Sequence, residues 1–166
     1  MAARLVKAAL EQSVAPADAA WADEAGRRAA RHDALLAAVA AREGPWRRCS
    51  GERAPSLPDA EGFGRLSFEF AGGLKLSIKT LPPETSVISL QRPGGLAPKD
   101  DWIDLLRRYA AERGVPVDWS RPRRVTAADG STSLRYGSLR PSWNAAASVD
   151  RDAAGRLVGL TLSLAL

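Results

Sequence analysis

The sequence predicts an α+β fold: an antiparallel β-sheet of about six to seven hairpin-connected strands, with two main helices packed on one face. Three observations carry this. Apolar and polar residues alternate on both sides of glycine turns. Two stretches place apolar residues at helical spacing with acids early and bases late. The last segment alternates strictly up to the end of the chain.

Residues 2–13 fit a short helix with Val6, Ala9, Leu10 and Ser13 on one side, and Pro16 marks a boundary. Residues 1–16 are therefore expected as a helical extension ahead of a single domain over 17–166. A longer helix is expected from Asp18 to Arg42, with Trp21, Ala25, Ala29, His32, Leu36 and Val39 as its stripe. Gly44-Pro45 stops it. Residues 44–63, with Pro45, Gly51, Pro55, Pro58 and Gly62, read as a long loop.

Strand patterns follow. Leu66, Phe68 and Phe70 alternate with polar neighbours, Ala71-Gly72-Gly73 turns the chain, and Leu74, Leu76 and Ile78 alternate again. A third strand is expected over Thr85 to Arg92, with Ile88 and Leu90 facing in. This pattern implies one buried and one polar face. The second helix has Pro98 near its first turn, Trp102, Leu105, Leu106 and Tyr109 on one face, and Gly114 to close it. Two further hairpins turn at Asp129-Gly130 and at Asp150 to Gly155. Val158, Leu160, Leu162, Leu164 and Leu166 make the apolar face of a last, central strand.

At 166 residues and 17.7 kDa the chain is long enough to bury a core, and its 45% hydrophobic and 26% charged residues argue against wholesale disorder. No apolar run reaches membrane-spanning length, so no membrane is expected. One cysteine, Cys49, and one histidine, His32, exclude a disulfide framework and multi-ligand Cys/His metal sites. Cys49 lies among Arg47, Arg48 and Arg53, which could activate a thiol, but no base is tied to it. His32 falls on an apolar stripe and reads more simply as a core residue than as a catalyst. Asp150-Arg-Asp152 opens like a calcium loop but fails at Ala154 and Thr161. Asp100, Asp101 and Asp104 are explained by the helix dipole. No convergent nucleophile and base emerges, so no catalytic residue, metal or cofactor is expected.

The net charge is +5, and Leu105 to Trp143 carries all of it, with eight arginines against three acids. Arg121, Arg123, Arg124, Arg135, Tyr136 and Arg140 form a basic-aromatic set that could hold phosphates and stack on unpaired bases. Trp46, Trp119 and Trp143 fit no single core stripe, and tryptophan beside arginine is a composition of protein-interface hot spots. The element order is similar, at the level of fold, to that of small secretion-chaperone-like domains. The leading expectation is a non-catalytic bacterial cytoplasmic protein that binds another protein as an adaptor or chaperone-like domain, with a homodimer as one form. The alternative is RNA or single-stranded nucleic-acid binding through residues 105–143. Alanine and arginine enrichment, with 31 Ala, suggests the bacterial source.

Overall fold

The computed structural model describes residues 2–11, 19–53, 64–81, 85–92, 94–96, 101–115, 117–140 and 143–165. Among them the protein is α+β, with eight strands and four helices, and the strand pairings described below are antiparallel. The chain forms two compact units, residues 1–82 and 83–166.

The first unit starts with three helices, α1 (Ala2–Glu11), α2 (Ala19–Ala30) and α3 (Asp33–Glu43). α1 lies against α2 and against β1 (Trp46–Arg53). Small residues allow the α1–α2 approach: Ala22, Ala25 and Ala29 are buried, and a Cβ on Gly26 would stand 2.9 Å from the Ala3 carbonyl oxygen. Lys7 pairs with Asp23 at 2.6 Å beside this contact, and that ammonium holds the Asp23 carboxyl below its ordinary range.

The helix expected over 18–42 is two helices. Arg31 and His32 donate their amides three residues back, to Arg28 and Ala29, which tightens the turn and ends α2. His32 leaves helical geometry, and α3 restarts when Leu36 bonds the His32 carbonyl. The charges fit this break: Arg27 and Arg28 close α2, and Asp33 opens α3. Of the expected stripe, Ala25, Ala29, His32, Leu36 and Val39 are all buried, and the Trp21 side chain lies outside the described residues.

Part of the expected loop at 44–63 is a strand. β1 pairs with β2 (Gly64–Phe70), which pairs with β3 (Lys75–Leu81). β1 raises the number of strands above the six or seven expected. It is an outer strand, a bulge at Arg47 interrupts its register, and Cys49 is its one buried hydrophobic residue. Residues 54–63 lie outside the described residues. The β2–β3 hairpin matches expectation: Leu66, Phe68, Phe70, Leu74, Leu76 and Ile78 are buried. On the opposite face run Arg48, Glu69 and Lys75, then Ser50, Ser67 and Ser77, as rows in register.

The second unit holds β4 (Thr85–Gln91), α4 (Asp101–Glu112), β5 (Arg123–Thr126), β6 (Thr132–Arg140), β7 (Trp143–Arg151) and β8 (Leu157–Ala165). Its strands run β4-β8-β7-β6-β5, so β8 is inside the sheet and β5 is at its end. α4 lies against β8 and buries Trp102, Leu105, Leu106, Tyr109 and Ala110. The buried face is built in rows: Leu90–Leu160–Val149, Ile88–Leu162–Ala147 and Ser86–Leu164–Ala145. The expected apolar face of β8 changes at one end. The register steps from Asp150–Gly159 to Arg151–Leu157, so Val158 is the extra residue and Leu157 is buried instead. Leu166 lies outside the described residues.

Candidate partner-binding ribbon

The turn between β5 and β6 explains why residues 117–136 project two strands. The Gly130 amide donates to the Ala127 carbonyl at 3.0 Å, and the Ala127 amide to the Ser131 carbonyl at 2.9 Å. Gly130 takes a φ of 82°, as the left-handed position of this turn requires. Asp129 Oδ1 accepts the Ser131 hydroxyl at 2.6 Å and its amide at 2.9 Å. Asp118 repeats the motif at the start of the segment, accepting the Ser120 hydroxyl at 2.5 Å and its amide at 2.9 Å. Those serine bonds, hydroxyl first, hold both carboxyls below their ordinary range. The two acids are thus committed to turns.

The pairing register decides where the arginines go. Arg123 stands directly opposite Arg135, and Arg124 opposite Leu134. Leu134 and Tyr136 are opposite Val149 and Ala147, so they lie on the buried side of the sheet and Arg124 shares that side. Arg123 and Arg135 lie on the other side, in a row with Ser148, Thr161 and Ser89. All three arginines are exposed, as is Arg121, whose charge is felt by Asp118. Among the described residues no carboxylate pairs with Arg123, Arg124 or Arg135.

Trp119 and Tyr136 meet on the buried side, ring centroids 4.8 Å apart at 45°. The Arg107 guanidinium of α4 sits 5.2 Å from the Trp119 ring centre. Trp119 remains half-buried. Arg107 was not among the site residues expected from sequence. It stands mid-helix in α4 with nothing in the local sequence to mark it, and only the folding of α4 against the sheet brings it to Trp119.

The other expected site residues are elsewhere. Trp46 belongs to the first unit, where it is half-buried and packs edge-on to Phe68 at 5.7 Å. Arg140 and Trp143 pair in the β6–β7 backbone register, and their side chains lie outside the described residues. The basic-aromatic set is therefore divided between two faces, and its aromatic member, Tyr136, is packed on Trp119.

The candidate chemical groups are held in structural roles. Cys49 is buried opposite Phe68, and burial pushes its thiol up to about 12. The folded protein is expected to resist thiol reagents at mildly alkaline pH and to react once unfolded in guanidinium; rapid reaction when folded would refute this. Because the folded thiol titrates above its ordinary 9.0, its contribution to stability is complete below that value and is lost as pH rises towards 12. Asp152 receives the Arg156 amide at 2.9 Å, the Arg156 Nε at 2.7 Å and the Ala154 amide at 3.0 Å, so its carboxylate closes the β7–β8 turn. The described residues contain no group of three or more His, Cys, Asp or Glu suited to a metal, and no helix long and apolar enough to cross a membrane.

Comparison with protein-family models, curated proteins and solved structures finds no match to this chain.

Proposed function

We propose that the chain is a non-catalytic protein-binding domain and that the β5–β6 ribbon is the surface its partner meets. One observation carries the reading. An end strand of the sheet exposes Arg123 and Arg124, Arg123 directly opposite the exposed Arg135, with no carboxylate among the described residues to balance them. Like charges directly opposite on a ribbon cost stability, and an acidic partner surface removes that cost. The half-buried Trp119, braced by Tyr136 and Arg107, supplies a rigid aromatic at the same end of the sheet. Nucleic acid fits less well. A strand of phosphates needs its cations on one face, and stacking needs bare rings. Here the arginines leave on both faces and the Trp119–Tyr136 pair is closed on itself.

The test is capture on the tagged full-length chain from its native host, with and without nuclease, followed by hydrogen exchange on the isolated complex. The expected result is a stoichiometric protein that survives nuclease and protects amides within residues 117–136. Partners that vanish with nuclease, or protection confined to other segments, would overturn the proposal.

A further inference from the structure

We infer that the partner contributes an acidic, extended segment that joins the open edge of β5 as an added strand, an inference that rests on the protein-binding reading above. Backbone geometry opens that edge. The Ala127 amide bonds the Ser131 carbonyl, and bonded and non-bonded pairs alternate along an antiparallel ladder. Continuing from that pair, Val125–Ser133 and Arg123–Arg135 exchange hydrogen bonds with each other, while Arg124 and Thr126 turn their amides and carbonyls outward. No hydrogen bond from these outward groups is made among the described residues. Such an edge is a template for a strand from another chain.

The side chains define what that strand must carry. Residues of a paired strand alternate faces in step with β5. Arg123 and Arg124 leave on opposite faces, so two consecutive acidic residues, one on each face, meet both of them. The acid beside Arg123 shares its face with Arg135 one strand further in, so it pairs with one guanidinium directly and lies in the field of a second. Asp150, the acid on that face of β7, stands opposite Ser133 and forms no ion pair with either arginine. A second copy of the chain is a poor occupant, because its own β5 would add another Arg123 and Arg124 to an already cationic ribbon.

The test uses a blocked peptide, Thr-Val-Glu-Glu-Val-Thr, titrated into the full chain and followed by amide NMR. The expected response centres on the Arg124 and Thr126 amides. It weakens at least about tenfold in the R123E/R124E variant, and that variant binds the Lys-Lys counterpart of the peptide instead. Alternate N-methylation of the peptide, which removes its ladder donors, abolishes binding. These substitutions are on exposed positions of an end strand, and the unperturbed spectrum of the rest of the variant verifies its fold. Shifts located away from β5, equal binding of the methylated peptide, or binding of oligothymidylate but not the peptide would overturn the inference. A captured protein that protects the ribbon but keeps its affinity for R123E/R124E overturns this inference alone; loss of every protein partner overturns the proposed function with it.

Discussion

Deleting the last six residues, 161–166, is expected to abolish cooperative folding of the unit spanning 83–166. β8 is paired on both sides, so the deletion removes the partners of Thr85 to Ser89 on β4 and of Ala145 to Ser148 on β7 together. It also takes Leu162 and Leu164, both fully buried, out of the rows that join Ile88 to Ala147 and Ser86 to Ala145. Truncating one buried leucine to alanine costs about 2–5 kcal/mol, and a domain holds about 5–15 kcal/mol in all. Losing two such side chains and both ladders exceeds that reserve. The measurements are thermal unfolding by circular dichroism and the dispersion of the amide spectrum. A truncated chain with the full-length Tm and a dispersed spectrum would refute the expectation. Leu162→Ala is the graded counterpart, with an expected loss of about 3 kcal/mol.

The strands that could be read from sequence are those with one side in the core. β2, β3, β4 and β8 alternate because every second residue meets buried neighbours, and apart from the start of β8 the pattern passes into the sequence unchanged. β1 is different. It is an end strand with Arg47 and Arg48 exposed, a bulge breaks its period, and only Cys49 is needed in the core. A strand under that little demand leaves no alternation to find. The division of α2 from α3 did leave a signal, in Arg27 and Arg28 followed by Asp33, but the unbroken apolar stripe outweighed it. The exchange of Val158 for Leu157 depends on a bulge shared with Arg151, a property of two strands that neither segment states alone.

The candidate site shows the same limit. Its charge could be counted directly, since eight arginines fall between Leu105 and Trp143. How that charge divides between two faces could not. Arg123 faces Arg135 and Arg124 faces Leu134 because the Asp129-Gly130 turn fixes one register, and a slip of one residue would reverse every face. The contact of Arg107 with Trp119 depends on where α4 settles and has no local signature.

Gly137→Ala is expected to destabilise the second unit by about 2–4 kcal/mol, a large effect for one methyl group. Gly137 lies within β6, opposite Ala146, at a φ of 65°. Two costs combine there. A residue with a side chain pays about 1–2 kcal/mol for the left-handed conformation. Its Cβ would also be driven into the Ala145 carbonyl oxygen and stand 3.4 Å from the Ala146 Cα. That backbone cannot retreat cheaply, because β7 is held by β6 on one side and by β8 on the other. Gly155→Ala separates the two costs. Gly155 has a φ of 78°, but a Cβ there meets nothing within 4 Å, so only the conformational cost of about 1–2 kcal/mol is expected. Denaturant unfolding should rank the variants with Gly137→Ala the less stable and the m-value unchanged. Equal losses would show that the β7 backbone yields, and a Gly137→Ala change within about 0.5 kcal/mol of the parent would show that β6 does not bend there. Because Gly137 follows Tyr136, the same substitution is expected to disturb the Trp119–Tyr136 contact, read as a change in the ring-current shifts of both aromatic rings. A stability loss with those shifts intact would separate the bend in β6 from the aromatic end of the ribbon.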